Sequence, residues 1–323
     1  MIAMHLLLLA AVVSVAASRL LPRARWVHQA PGLGLAAWYA VLASIVISGA
    51  GAALSLVARW PATQKTVCSW WAWCVDVLSG ELGTIGRAVG WLALTALAVL
   101  ATRAARTIVH AVQESSRLRQ SHLEALSIVG RPHPQLDAFV IDDDRPAAYA
   151  LSGRHGRVVI TSGALTTLPE RQIAAILAHE RAHTTGRHHL LLTTARLLTR
   201  TFPAVTIFAD AHRQIDRLVE LHADDIATRR HAPLDLARAL VTCAEAATRP
   251  AGVPVPAMAA AAHGGDALER IHRLLQPPPP LSRRHRLAIA ATLVALTGAP
   301  VVVAALGVAF PALGACLPVP TAQ

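Results

Sequence analysis

Two histidines four residues apart are the side chains of this sequence best suited to chemistry. His179 and His183 lie in the segment LAHERAHTTG, and Glu180 directly follows the first of them. On a helix, residues i and i+4 share a face, so both imidazoles can bind one metal ion. Glu180 then lies about 100° around the helix, where its carboxylate can take a proton from an attacking water. This H-E-x-x-H pattern is expected by chance only about 0.02 times in such a chain, and it is typical of zinc peptidases.

A third metal ligand is predicted farther along the chain, in the segment DRLVELHADDIA at 216–227. Catalytic zinc takes three protein ligands and keeps one position open. Glu220 and Asp224 share a helix face, so Glu220 can bind the ion while Asp224 accepts a hydrogen bond from the outer nitrogen of a ligating histidine. The alternative is a solvated acidic face, against which the apolar neighbours of Glu220 argue. His222 is expected to point elsewhere on the helix.

The sequence pattern also predicts the elements that position these groups. VVIT at 158–161 predicts a short strand, which we expect to pair with extended substrate at the rim of the cleft. The next segment predicts a helix with Thr166 or Thr167 as its cap, Pro169 in its first turn and Gly186 as its stop.

Other segments predict the surroundings of this core. Helices are predicted over 103–127 and 212–230. The segment at 253–265 predicts a flexible connection, and QPPPP at 276–280 predicts a rigid linker.

The segments VVITSGALTTLPERQIAAILAHERAH and RLVELHADDIA resemble the membrane-embedded gluzincin metallopeptidases. The resemblance covers roughly residues 100–310 and is nearest to the M56 family of BlaR1/MecR1-like sensor peptidases, with the HtpX and Ste24 proteases of family M48 also similar. It implies one Zn²⁺ ion per chain, bound by His179, His183 and Glu220. It also implies that Glu180 is the general base and that Asp224 supports a ligand.

Two further positions bear on this resemblance. ERIHRLL at 269–275 is similar to a late motif of family M48, which implies that Arg270 lies near the site. The family often has an aspartate five residues after the second histidine, and this chain has His188 there. The group that stabilises the oxyanion stays open between Arg270, His222 and His263.

The composition is that of a membrane protein, with 54% hydrophobic and 15% charged residues. Residues 1–18, 34–57, 84–102 and 287–309 predict transmembrane helices, although Arg87 must snorkel to the interface for the third. Pro300 predicts a kink in the last span. The net charge of +11 comes from arginines that flank these spans, so direct nucleic-acid binding is not expected.

The arginines also predict the orientation in the cell membrane. They flank the spans on one side, which we place in the cytoplasm, with both chain termini exterior. The resulting domains are three transmembrane helices in 1–102 with an exterior loop near 58–83, a cytoplasmic peptidase domain at 103–286, and a last helix with a short exterior tail at 287–323. Cys68 and Cys74 fall in the exterior loop, where a disulfide is permitted and an apolar role is equally consistent.

The sequence therefore predicts a mainly α-helical, multi-span membrane protein with a small β element and a gluzincin-type zinc peptidase domain. The predicted function is metalloendopeptidase cleavage of a cytoplasmic or membrane protein, in signalling through a helix-turn-helix repressor. Two alternatives stay open. One is an HtpX-like quality-control protease, and the other is a non-catalytic, metal-stabilised membrane signal transducer. The intact Glu180 favours an enzyme, because a purely structural metal site has no need of that carboxylate.

Overall fold

The computed structural model describes residues 2–58, 84–151, 156–247 and 264–314. The predicted exterior loop with Cys68 and Cys74, and also His263, lie outside the described residues. The chain divides into two compact units. One comprises 1–20, 37–107 and 287–323, and the other comprises 21–36 and 108–286.

Long apolar helices form the first unit. Three segments are long and apolar enough to cross a membrane, Ile2–Arg23, Pro31–Ser55 and Arg283–Leu306. They belong to helices α1 (Ile2–Leu20), α3 (Pro31–Ala58) and α11 (Arg283–Gly314), so three of the four predicted spans are confirmed as apolar helices. A short helix, α2 (Arg25–Gln29), lies between the first two.

Within this unit, the fully buried Leu6 of α1 packs with Ala52 of α3 and Val303 of α11. The three apolar helices therefore contact one another through small and branched side chains.

Helix α4 (Thr84–Val129) runs for 46 residues without a break. It contains the segment 84–102, whose membrane crossing stays a prediction. The predicted helix at 103–127 is confirmed, but it continues directly from the preceding segment and is not separate.

A four-stranded sheet lies in the second unit, whereas the sequence predicts a single strand there. Its strands are β1 (Arg131–His133), β2 (Ala138–Ile141), β3 (Ala148–Leu151) and β4 (Arg157–Thr161). They lie in the order β1-β2-β4-β3, with β2 and β4 parallel and the other two pairs antiparallel.

The predicted strand is confirmed as β4, but its expected place at the rim of the cleft is wrong. Both of its edges are hydrogen-bonded, to β2 and to β3, so β4 has no free edge for a peptide. Strand β3 has one neighbour among the described residues and leaves the other edge open.

The remaining helices of the second unit follow the sheet. They are α5 (Ser162–Thr167), α6 (Glu170–Thr185), α7 (His188–Thr201), α8 (Thr206–Ala227), α9 (Pro233–Ala247) and α10 (Gly264–Leu275). The predicted flexible connection at 253–265 lies outside the described residues except for its last two, which begin α10. The proline segment 276–280 is not helical, as expected of a linker.

The helix boundaries near the histidines differ from the prediction in one respect. Thr166 and Thr167 lie inside α5, and the side chain that caps that helix is Thr161, whose Oγ1 accepts a hydrogen bond from the Ala164 N–H at 3.1 Å. Pro169 takes the N-cap position of α6, and Gly186 ends that helix as predicted.

Helix α8 begins six residues before its predicted start at 212 and ends three residues before its predicted end at 230. Buried Ile207, Phe208 and Ala211 extend its apolar face toward the N-terminus, which explains the early start.

The core of the second unit has α6 on one face of the sheet and the end of α4 on the other. Val158 and Ile160 of β4 pack with Ile173, Ile176 and Leu177 of α6. Between them, Val159 points the opposite way and packs with Leu126 of α4. Burying each such side chain contributes about 1.5–3 kcal/mol, which fixes α6 firmly on the sheet.

Candidate active site

Helix α6 brings His179 and His183 together as predicted. Their Nε2 atoms lie 3.1 Å apart, so the two rings converge on one point from the same helix face. His179 is 3% exposed and the His183 side chain is 17% exposed. The packing of the opposite helix face against the sheet leaves these rings little freedom to turn away.

Helix α8 supplies the third predicted ligand. The Glu220 carboxylate lies 3.5 Å from Nε2 of both His179 and His183, through a different oxygen for each. One potential ligand atom from each of the three side chains lies within 4.8 Å of the others. Leu218, Val219 and Leu221 are almost fully buried, so the backbone that carries Glu220 is well anchored.

The outer nitrogen of His179 faces a carboxylate. Its Nδ1 lies 2.9 Å from Asp224 Oδ1, and Asp224 is 1% exposed. Burial lowers the pKa of His179, but the hydrogen bonds to Asp224 and Glu220 outweigh it and raise that pKa to about 9. For Asp224, burial raises the pKa, and the opposing charges of Arg270 and His179 bring it well below its usual range.

Arg270 lies in the site, as the resemblance implied. Its Nε and Nη2 donate to the two oxygens of Asp224 at 2.9 and 2.8 Å, and Nη1 lies 2.8 Å from Glu220. This two-pronged pairing fixes the carboxylate plane and orients it toward His179. Arg270 also lies 3.4 Å from Nε2 of His179, at the edge of the convergence point.

Two more ion pairs hold the helix that carries Arg270. Glu269 pairs with Arg217 of α8, and Arg273 lies 2.7 Å from Asp225 of the same helix. One turn of α10 is therefore tied to α8 by charged groups on both sides of Arg270.

The outer nitrogen of His183 faces a different kind of group. Its Nδ1 lies 3.1 Å from Nδ1 of His188, the first residue of α7. Burial lowers the pKa of His183 to about 4 and that of His188 to about 3. Both rings are therefore neutral at physiological pH in the metal-free protein.

Glu180 lies beside these residues and is not one of the three convergent ligands. Burial raises its pKa to about 7, and the charge of Glu220 adds to that rise. The backbone N–H of Ala150 in β3 donates to its carboxylate and lowers the pKa in part. A carboxylate with a pKa near 7 is suited to accepting and returning a proton at physiological pH.

Ala150 and Cys243 were missed in the sequence. The hydrogen bond from Ala150 indicates that β3 lies next to Glu180, but β3 itself has no strong sequence pattern. Burial raises the pKa of the Cys243 thiol in α9 to about 12, and the charge of Glu180 contributes to that rise. Nothing in the local sequence indicates either interaction, because each joins residues of separate elements.

The other two oxyanion candidates are His222 and His263, and the described residues show neither of them in contact with the convergent ligand atoms. The His222 ring lies 5.6 Å from the His188 ring, centre to centre. It packs against Gly32, where a Cβ would lie 3.1 Å from the ring. His263 is outside the described residues. Among the described residues, Arg270 is the candidate for which a contact with a convergent nitrogen is observed.

The donor set fits a zinc ion. Two imidazole nitrogens and one carboxylate are the ligands that catalytic zinc sites of this type use. The outer nitrogens of His179 and His183 face Asp224 and His188, so the inner nitrogens of both rings point toward the shared position.

Comparison with known proteins agrees with this geometry. The sequence profile of peptidase family M48 matches residues 112–290, which is more than half of the chain. This match supports the M48 side of the resemblance and not the M56 assignment. No solved structure matches the chain.

Several curated relatives carry the name Protease HtpX homolog. The one from Acidiphilium cryptum (strain JF-5) is 37% identical over 75 residues, 22% of this chain and 25% of the relative. The one from Ralstonia pickettii (strain 12J) is 35% identical over 83 residues, 25% of this chain and 28% of the relative. A third, from Burkholderia mallei (strain SAVP1), is 34% identical over 79 residues, 24% of this chain and 27% of the relative. The matched part of the chain thus spans about a quarter of the length of these relatives.

Proposed function

The chain belongs to peptidase family M48, and from that premise we propose that it is an integral-membrane zinc metalloendopeptidase. The observation that carries the proposal is the convergence of His179, His183 and Glu220 from two helices. Glu180 beside them, with a pKa raised to about 7 by burial, has the properties of a general base.

In this proposal the three convergent side chains hold one Zn²⁺ ion. When bound, zinc lowers the pKa of water to about 7 and polarises a carbonyl group. Glu180 accepts the proton of the attacking water and then delivers it to the leaving amine of the peptide. Its hydrogen bond from Ala150 orients the carboxylate for both transfers.

Arg270 and Asp224 form the support of the proposed site. The Asp224 carboxylate, 2.9 Å from Nδ1 of His179, favours a proton on that nitrogen and so leaves Nε2 to face inward. Arg270 holds Asp224 in place and keeps one nitrogen near the inner ring nitrogens, where it can stabilise negative charge that develops on the substrate carbonyl oxygen.

The substrate backbone is proposed to pair with β3. Extended peptides add to free strand edges, and β3 has such an edge next to Glu180 among the described residues. This replaces the β4 edge that the sequence predicted, because β3 covers it.

The membrane arrangement is part of the same proposal. Three helices are long and apolar enough to span, and the segment 84–102 at the start of α4 is proposed as a fourth span. With that span, the arginines that flank the helices predict a cytoplasmic peptidase domain and exterior termini. A reporter fused within 62–80 should report the exterior, and one fused at 120–150 the cytoplasm.

The substrate class is proposed to be unfolded or misfolded membrane protein. The names of the relatives, Protease HtpX homolog, support this alternative over cleavage of a cytoplasmic repressor in signalling. A helix-turn-helix repressor stays a candidate protein partner, to be tested beside the first class.

The direct experiment uses the full chain in detergent or lipid nanodiscs with an unfolded membrane protein and a winged-helix repressor as substrates. We expect cleavage of the unfolded membrane protein, its loss on treatment with a chelator, and its return on addition of zinc. Glu220→Ala should not recover with zinc, and Glu245→Ala, an exposed glutamate of α9, serves as the matched control. Cleavage of the repressor alone would favour a signalling function over quality control. Cleavage of neither substrate with zinc bound would favour the non-catalytic transducer.

A further inference from the structure

The outer ring nitrogen of His183 contacts the buried ring of His188 at the start of α7. We propose that His188 is a positioning residue that holds His183 in the ring orientation and tautomer needed for metal binding. This inference rests on the proposed function, because it assigns His188 a role toward the same metal.

The geometry isolates the contact from solvent. His188 is 1% exposed, and its Nδ1 lies 3.1 Å from Nδ1 of His183. Arg187 before it has a left-handed backbone, with φ of 49°, so the chain turns sharply between α6 and α7. That turn carries the His188 ring back over the end of α6.

The neighbours of each ring nitrogen determine which tautomers of His183 and His188 are compatible with metal binding. The Nε2 atom of His183 faces His179 and Glu220, so a metal bound there requires the His183 proton on Nδ1. That N–H donates to Nδ1 of His188, whose own proton must then reside on Nε2. Among the described residues, His188 Nε2 has no hydrogen-bond partner, so the contact with His183 is the one polar interaction identified for this ring.

Gly186 is a second, independent sign that the ring of His188 is built into this place. A Cβ at residue 186 would lie 2.6 Å from Nε2 and 2.8 Å from Cδ2 of His188. It would also lie 2.9 Å from the carbonyl oxygen of Ala182. A residue with a side chain at 186 would therefore displace the His188 ring, and the glycine leaves room for it.

The contact replaces a feature of the resembling peptidases. His188 stands where those proteins often have an aspartate, five residues after the second histidine. A neutral imidazole accepts the N–H but raises the basicity of the ligand less than a carboxylate does. Residue 188 therefore still provides a hydrogen-bond acceptor for His183, but a weaker one than a carboxylate.

The test measures zinc affinity of the purified full chain by competition with a chelator. His188→Phe keeps a ring of similar size and removes the acceptor, so we expect a 10–100-fold loss of affinity, about the usual effect of removing an outer partner. His188→Asp restores an acceptor and should bind zinc at least as tightly as wild type. Gly186→Ala keeps every hydrogen-bonding group and displaces the ring, so it should lose affinity in the same direction.

His189→Phe is the matched control, since it alters the next histidine of the same helix and should leave zinc affinity unchanged. Thermal melting of the zinc-free proteins separates a folding defect from a site defect, and rescue by His188→Asp is not expected of a residue that only fills space. If wild type binds zinc and His188→Phe binds it equally well, the role of His188 is refuted while the metal site stands. If wild type binds no zinc, the proposed function fails first and the inference fails with it.

Discussion

The two histidines of the candidate metal site differ in what their outer ring nitrogens face. His179 faces the Asp224 carboxylate at 2.9 Å, and Arg270 holds that carboxylate by two hydrogen bonds. His183 faces the neutral ring of His188 at 3.1 Å. The two residues lie one turn apart on the same helix, so the difference arises from the elements packed around them.

The difference appears in the charge of each ring. Burial lowers the pKa of both histidines, but hydrogen bonds to carboxylates bring that of His179 to about 9, while His183 stays near 4. In the metal-free protein, one ring is therefore charged and the other neutral at pH 7. Two ligands of one proposed metal site, one turn apart, are therefore prepared differently, His179 by a carboxylate and His183 by a neutral hydrogen bond.

Removing a ligand itself should have the largest effect on metal binding. His183→Ala and Glu220→Ala should each lose most of the bound zinc, more than the loss of any outer partner. Zinc content of the purified proteins, measured by elemental analysis, checks this. If Glu220→Ala keeps wild-type affinity, the third ligand is another residue.

Removing the charged outer partner should affect stability more than removing the neutral one. Asp224→Ala leaves the Arg270 guanidinium buried without its main partner, which typically costs about 3–5 kcal/mol of unfolding free energy. His188→Phe leaves one neutral N–H unpaired, at a cost of about 1–3 kcal/mol. Denaturant or thermal unfolding of the zinc-free proteins gives both values, and equal values would contradict the difference between the two sides.

The charge of His179 predicts how zinc binding depends on pH. Because its pKa is about 9, zinc must displace a proton from this ring at any pH below that value. Affinity should therefore rise about tenfold per pH unit between pH 6.5 and 8.5 on account of this group. Asp224→Asn removes the negative charge that raises the pKa of the His179 ring and should therefore flatten the slope. A flat profile in wild type would show that His179 is already neutral.

The chemistry of the site was largely predictable from the sequence, because it depends on local spacing. His179, Glu180 and His183 lie on one helix, and Glu220 and Asp224 on another, so periodicity alone places each group relative to its neighbours. The resemblance brought the two helices together and added Arg270, which the structure places against Asp224.

What the sequence could not predict are contacts between elements. The strand β3 is only four residues long and alternates weakly, yet its pairing with β4 decides which sheet edge is open. His188 was visible as a departure from the family pattern, but its contact with His183 depends on the sharp turn at Arg187. Helices α7 and α9 are two further elements that the prediction omits, although each has an apolar face; α7 packs against α8, and α9 packs against α6 and α10.

The proposed role of Glu180 as general base is tested by comparing wild type with Glu180→Gln. Glutamine keeps the size of the side chain and removes the base, and no metal ligand is touched. We expect zinc content and thermal stability near those of wild type and a peptide cleavage rate lower by about 10²–10⁴-fold, or about 3–5 kcal/mol of barrier. Glu170→Gln, an exposed glutamate in the first turn of the same helix, should cleave at the wild-type rate. Undiminished cleavage by Glu180→Gln with zinc retained would contradict the assignment of Glu180 and with it the proposed peptidase mechanism.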